Sequence, residues 1–336
     1  MIEKLMARAL DGHDLTRAEA REAMQQIMEG GATQAQIAGF LVALRAKGET
    51  ADEIAGCAEA MREHALPVRP QRDDLVDTAG TGGDGKSTLN ISTAAALLAA
   101  AAGAGVAKHG NRAASSQTGS ADVLEALGFE LDLAPERIAR SIDELGFGFM
   151  FAQAHHPAMK HAAPVRRELG TRTVFNVLGP LTNPARARAQ VVGVYSPSLV
   201  RPVAEALAQL GARRAFVVHG AGGIDELSPV GPSQVCEVVD GGVRDRVVDP
   251  RELGIEPTSL EELAGGKPAE NAAAIRRVFA GERGGPREAV LLNAAGAIAA
   301  GGRAEDLREG IELAREALDS GAAAARLDEL VEFTRS

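Results

Sequence analysis

Residues Val76 to Gly119 read VDTAGTGGDGKSTLNISTAAALLAAAAGAGVAKHGNRAASSQTG, and the reading of the whole chain turns on this stretch. Gly80-Thr81-Gly82-Gly83-Asp84-Gly85 puts four glycines into six residues. Glycine tolerates positive φ and close backbone approach, so such a loop can turn its N–H groups onto an anion. Asn90-Ile91-Ser92-Thr93 and an Ala-rich run follow, and the run predicts a helix. A helix starting there aims its positive end and its free N–H groups at the same anion. Lys108, His109, Gly110, Asn111, Arg112, Ser115 and Ser116 add cations and small donors downstream. The stretch therefore predicts a phosphate site, and by its extent a pyrophosphate site.

Two short patterns also fit this loop. Gly80 to Ser87 matches G-x-x-x-x-G-K-[ST], and Gly80 to Gly85 matches G-x-G-x-x-G. The first needs a later apolar run ending in aspartate; Val238-Val239-Asp240 is short and runs into Gly241-Gly242. The second needs an acid about 20 residues on to hold a ribose, where this chain has Lys108 and His109. Neither context is met.

The chain has 336 residues, enough for about two domains. Its formal charge of −10 argues against a general nucleic-acid or membrane-surface binder, although local cations can still serve one anionic substrate. Cys57 and Cys236 make no framework, and the first residues hold no signal-peptide core, so the chain reads as cytoplasmic. The longest apolar run, Ala94 to Ala107, is glycine-broken and shorter than the roughly 20 residues a bilayer needs.

Residues 1 to 68 read as a small all-helical domain. Thr16/Glu19, Thr33/Gln36 and Thr50/Glu53 are successive capping-box patterns, with Gly30 and Gly48 as stops. Ile37, Phe40, Leu41 and Leu44 form one apolar stripe, either domain core or a dimer face. After Pro67–Pro70, residues 69–336 read as a larger α/β domain. Strands are expected at 75–78, 191–195, 215–219 and 235–239, with helices near 198–211, 289–300, 305–318 and the end. This alternation predicts a mostly parallel sheet flanked by helices, with the glycine loop at the carboxyl end of its strand. Residues 240–290 are the least legible.

GTGGDG (80–85), NIST (90–93), KHGNRAASS (108–116), GSADVLEALG (119–128), HHPAMKHAAPVRRELGTRTVFNVLGPLTNPA (155–185) and GGIDELSP (222–229) occur in this order. Together they resemble the anthranilate phosphoribosyltransferase family, most strongly between Asp77 and Pro229. The resemblance implies transfer of a phosphoribosyl group from phosphoribosyl pyrophosphate (PRPP) to anthranilate in tryptophan biosynthesis. It also implies a nucleoside phosphorylase/phosphoribosyltransferase-like fold, with a helical segment near 160–185 joined to the N-terminal domain, and a homodimer. Carried onto this sequence, it gives PRPP to Gly80, Gly83, Asp84, Thr88, Asn90, Ile91, Ser92 and Thr93. It adds Lys108, His109, Gly110, Asn111, Arg112, Ala113, Ala114, Ser115, Ser116 and Ser120. Anthranilate falls to Gly80, Asn111 and Arg166, and Mg²⁺ to Ser92, Asp225 and Glu226. Arg167 is the competing arginine and is expected to face solvent. His109 and His156 are expected to line the channel rather than to act as bases, and no acid or base is assigned. Gln153 departs from a proline common among relatives, a change that bears on the anthranilate entrance. Two alternatives differ in kind: a pyrimidine nucleoside phosphorylase-like enzyme, and a non-catalytic PRPP-binding protein.

Overall fold

The computed structural model describes residues 1–113 and 117–336. The N-terminal part consists of α1 (Ile2–Leu10), α2 (Arg17–Met28), α3 (Gln34–Lys47) and α4 (Ala51–Glu63). All three expected capping boxes form. The hydroxyls of Thr16, Thr33 and Thr50 accept from the N–H groups of Glu19, Gln36 and Glu53, whose side chains accept in return from the threonine N–H groups. Each such cap contributes about 1 kcal/mol. Glu53 does more, since its fully buried carboxylate also accepts from Leu15 N (2.9 Å) and pairs with Lys47 (3.0 Å). Gly56 lets α2 and α4 meet at backbone distance; a Cβ there would lie 2.2 Å from the Arg17 carbonyl oxygen. Ile37, Phe40, Leu41 and Leu44 are all buried within this chain, so the stripe is core.

The rest of the chain runs through β1 (Leu75–Gly80), α5 (Ile91–Ala101), β2 (Gly105–Gly110), α6 (Ser120–Leu127), α7 (Pro135–Leu145), β3 (Phe147–Phe151) and α8 (Ala152–His155). It continues through α9 (Ala163–Leu169), α10 (Val174–Leu181), β4 (Ala189–Gly193), α11 (Val200–Gln209), β5 (Arg214–His219), β6 (Ser233–Val239) and β7 (Gly242–Val248). It closes with α12 (Pro268–Phe279), α13 (Gly285–Ala300), α14 (Leu307–Asp319) and α15 (Ala322–Arg335). The described strands form one sheet in the order β3-β2-β1-β4-β5-β6-β7. Pairings from β3 through β5 are parallel, whereas β6 and β7 join antiparallel. The mostly parallel expectation holds, with a terminal hairpin added.

The chain winds outward from β1 to β3, then crosses back so that β4 lies on the other side of β1. The order therefore reverses between β1 and β4, and open sheets of this kind bind ligands at the carboxyl ends of the strands flanking that reversal. One face of the sheet is covered by the Ala-rich α5 and α13, both buried almost all round, where small side chains let helix and sheet pack closely. The other face packs α11 and the helical bundle, with α9 and α10 joining the same core. Among the described residues no helix is long and apolar enough to cross a membrane.

Three strands went unforeseen. The alanine run is helical only to Ala101; Gly103, at φ 93°, turns the chain and the remainder becomes β2. β3 and β7 were likewise not anticipated.

Candidate active site

Gly80 ends β1 at the reversal point, and the loop beyond it holds Gly82, Gly83 and Gly85 at φ 62°, 76° and 73°. Only glycine adopts such values without strain. The loop is tied to β4: Thr81 N donates to Gly193 O (2.9 Å), and Thr81 Oγ1 accepts from Tyr195 N (3.0 Å). Arg172 donates to the Gly83 carbonyl and stacks on Tyr195, 4.2 Å from the ring centroid. Asp84 Oδ1 accepts from Lys86 N (3.0 Å), and Thr88 sits in an isolated bridge to Ala264.

The helix expected after the loop is α5. At its start Asn90 donates to Thr118 O (3.0 Å) and accepts from Asn271 (2.9 Å), which fixes its amide. Ile91 and Thr93 are buried in the core behind it. The Ser92 carbonyl accepts from Thr78 Oγ1 (2.9 Å), and its N–H donates to Glu226 Oε1 (3.2 Å). The Ser92 hydroxyl makes no hydrogen bond among the described residues.

Asp225 and Glu226 reach this place on the loop after β5. Gly82 N donates to Asp225 Oδ2 (2.8 Å). The two carboxylates are half-buried and make no ion pair among the described residues. Burial, and then the charge of Asp84, pushes Asp225 up to about 7; burial, and then Asp225 itself, raises Glu226 well above the usual carboxylate range. The cation whose charge acts on Glu226 is the fully buried Lys108 ammonium, which donates to the Thr78 carbonyl and to Thr78 Oγ1 (3.3 Å) and whose pKa burial lowers. An acid pair short of positive charge, beside a loop able to hold phosphates, fits a Mg²⁺ ion that completes its shell with water and phosphate oxygens. Among the described residues no three His, Cys, Asp or Glu side chains make a metal cage.

On the other side of β2, His109 N donates to Asp77 Oδ1 (3.1 Å), and its Nδ1 meets Gly179 O (3.1 Å). Since a carbonyl cannot donate, Nδ1 carries the proton and Nε2 is a bare acceptor. His156 lies alongside, ring centroids 5.0 Å apart, and its buried Nε2 likewise has no partner among the described residues. Burial holds His109 down to about 3 and His156 to about 4, so both are neutral near pH 7. Asn111 accepts at Oδ1 from Gln153 (3.4 Å) and from Arg112 N (2.8 Å). The departing residue Gln153 therefore touches an expected anthranilate contact. Ser120 Oγ accepts from Asn111 N (3.2 Å), and Gly110 packs against both Ser120 and Phe149.

Arg166, on α9, lies over the Phe175 ring at 5.1 Å; burial lowers its pKa, and no carboxylate pairs with it among the described residues. It makes no hydrogen bond or ion pair with the glycine loop or Asn111. Arg167 is exposed, as expected. Arg112 turns its guanidinium to Asp122 (3.2 Å) and Glu125 (2.5 Å), and Ala113 N donates to Asp122 (2.9 Å). Ala114, Ser115 and Ser116 lie outside the described residues.

Sequence reasoning missed Asp77, Asn183, Arg172 and Asn271. Asp77 accepts from His109 N and from Asn183 Nδ2 (2.7 Å), joining β1, β2 and the turn after α10. Its signal was visible: an acid inside an apolar strand must be buried and therefore bonded.

The comparisons with known proteins agree with this geometry. The model for the glycosyl transferase family, a/b domain, matches residues 72–324, and its helical bundle domain matches residues 3–65. The chain is 53% identical over 334 residues to an anthranilate phosphoribosyltransferase of Pelotomaculum thermopropionicum, covering 99% of this chain and 97% of that one. The crystal structure of anthranilate phosphoribosyltransferase from Thermus thermophilus is 52% identical and superposes with a TM-score of 0.93, covering 98% of this chain and 99% of that one. The Saccharomyces cerevisiae enzyme in complex with PRPP and Mg is 28% identical, with a TM-score of 0.89 over 99% of this chain and 98% of that one. A glycine loop at a sheet reversal, an acid pair short of cations and relatives matched from end to end converge on one statement: the chain belongs to the anthranilate phosphoribosyltransferase family.

Proposed function

We infer that the protein transfers the phosphoribosyl group of PRPP to the amine of anthranilate, releasing pyrophosphate, with Mg²⁺ as its cofactor. The observation that carries this reading is the Asp225–Glu226 pair, which makes no ion pair among the described residues and is set against the glycine loop and the start of α5. Breaking the bond at C1 builds positive charge on the sugar and negative charge on the departing diphosphate. The chain's part is to hold, orient and neutralise. Gly80, Gly83, Asp84 and Thr88 line the diphosphate side, and Asn90, Ser92 and Thr93 present the helix start. Lys108, Asn111 and Ser120 complete the pocket from β2 and α6. Asp225, Glu226 and the Ser92 hydroxyl hold Mg²⁺, which when bound supplies positive charge to the diphosphate. Arg166 clasps the anthranilate carboxylate through two parallel hydrogen bonds, a match its unpaired guanidinium supports. Neutral His109 and His156 are acceptors in the channel, and no covalent nucleophile is needed.

The same reading divides the chain into a helical domain, 1–68 with the 160–185 segment, and an α/β domain, 69–336. It places the enzyme in the cytoplasm as a homodimer. Exposed Leu10 and Val42 on the helical domain are apolar surface for such a contact. The test is direct: purified protein with PRPP, Mg²⁺ and anthranilate consumes anthranilate fluorescence, and thymidine with phosphate gives no turnover. Turnover of thymidine instead would reverse the reading.

A further inference from the structure

A cavity of about 630 Å³ opens at the amino end of the sheet, at the far end of β1 from the glycine loop. That size lies within the roughly 300–1,000 Å³ of small-molecule sites. Its walls come from the end of α4, the linker after it, the start of β1 and the turn leading into β4. They carry Arg62, Arg69, Arg72, Arg186 and Arg188, in a chain whose net charge is −10.

Few of these charges are neutralised. Arg72 is paired with Asp74 (2.6 Å), and the lining acid Glu63 is taken by Arg21 (2.9 Å). That leaves Arg62, Arg69, Arg186 and Arg188 against Asp73. Among the described residues Arg62 donates only to backbone carbonyls, Leu181 (2.6 Å) and Leu210 (3.5 Å), and Arg188 donates to Gly211 O (3.1 Å). Arg69 and Arg186 have no side-chain partner among the described residues. Burial, and then the charge of Arg186, holds Arg62 down to about 10, so the two cations sense one another. Arg186 is also held at φ 53°, a left-handed conformation that side-chain-bearing residues rarely adopt. Beneath it, buried Asn183 is bonded to Asp77 and to Ala107 O (2.8 Å), which makes the floor rigid.

We propose that this cleft binds a small anion bearing paired oxygens, of the oxyanion or polycarboxylate class, between Arg62, Arg69, Arg186 and Arg188. Planar guanidinium forks match the paired oxygens of both classes. Arg62 belongs to α4, Arg69 to the linker, and Arg186 and Arg188 to the turn before β4. Val68 N already donates to Pro184 O (3.2 Å) across the same gap. A bound anion therefore fastens the helical part to the sheet.

Calorimetric titration of the full chain, without Mg²⁺, tests this with inorganic phosphate in one arm and citrate in the other. Arg186→Ser/Arg188→Ser and the single Arg69→Ser are run beside the wild type, with circular dichroism to verify folding. At least one anion is expected to bind the wild type below about 1 mM, about tenfold more weakly in the double variant and more weakly in Arg69→Ser. Phosphate-only and citrate-only results both support the site and name its ligand class. Equal affinity in the wild type and every folded variant places the binding elsewhere and overturns the proposal, as does no binding by the wild type.

Discussion

Gly193, the last residue of β4, lies so close under Asp225 that a Cβ on it would stand 1.5 Å from the Asp225 carbonyl oxygen. Its register partner Gly80 does the same for the side chain, at 2.4 Å from Asp225 Oδ2. Two glycines paired across the reversal point thus make the seat for the acid pair.

These two contacts predict unequal costs. Gly193→Ala must move backbone, whereas Gly80→Ala needs only a carboxylate to turn. Gly193→Ala is expected to cost roughly 1–3 kcal/mol of stability and to shift the Mg²⁺ titration of turnover more than Gly80→Ala does. Thermal melts and Mg²⁺ titrations of both variants check it; equal behaviour would discard the backbone argument.

Asp225→Asn with Glu226→Gln keeps shape and removes charge. Without Mg²⁺ the double variant is expected to melt higher than the wild type, because two carboxylates no longer have to be charged where burial, and then their neighbours' negative charge, disfavours it. The Mg²⁺ needed for half-maximal turnover is expected to rise about tenfold or more. A lower melting temperature combined with an unchanged Mg²⁺ response would remove the metal assignment.

Arg166→Ala is expected to raise KM for anthranilate about tenfold or more and to leave KM for PRPP nearly unchanged. Arg166→Lys should not rescue it, since an ammonium cannot make two parallel bonds to a carboxylate. Steady-state kinetics in both substrates decides, and equal effects on the two KM values would exclude the role.

Arg172 holds the glycine loop through Gly83 and stacks flat on Tyr195. Arg172→Lys keeps the charge and loses the stack, a contact of about 0.5–1 kcal/mol. KM for PRPP is expected to rise about two- to fivefold, with KM for anthranilate steady.

His156 is held down to about 4 by burial, below the ordinary histidine value. Between pH 6.5 and 4 the unfolded chain therefore binds a proton at this residue that the folded chain does not, and its contribution to stability is lost as pH falls through that window. His156→Gln removes the loss. Relative to the wild type, the variant is expected to gain up to about 1.4 kcal/mol per pH unit on acidification from pH 6.5 to 4. Denaturant melts across that range measure the difference, and a pH-independent difference would contradict it.

Much of this molecule was legible because the signals are local. Thr16, Thr33 and Thr50 announce helix starts through residues three places on, and the glycines of 80–85 announce a turn at a strand end. β2 was hidden because Val106 and Ala107 continue the apolar composition of α5, and only Gly103 and Gly105 mark the change. β3, with Gly148 inside FGFMF, is too short to show a period. Asn271 and Arg172 were illegible as site residues because their partners, Asn90 and Gly83, lie 181 and 89 residues away. Pairings across such distances are set by topology, which no local window contains.

β7 is one margin of the sheet, and β3 is the other. A bare strand edge offers unpaired N–H and C=O groups to any extended chain, and filaments grow by such addition. Here Arg244, Asp245 and Arg246 stand exposed in a row, with Asp245 tied to Arg201 (2.7 Å) and Arg246 to Glu237 (2.5 Å). A second copy laid along this margin would have to strip water from charges of both signs. On this margin the charges oppose strand addition, against the exposed apolar side chain of Val247 beside them.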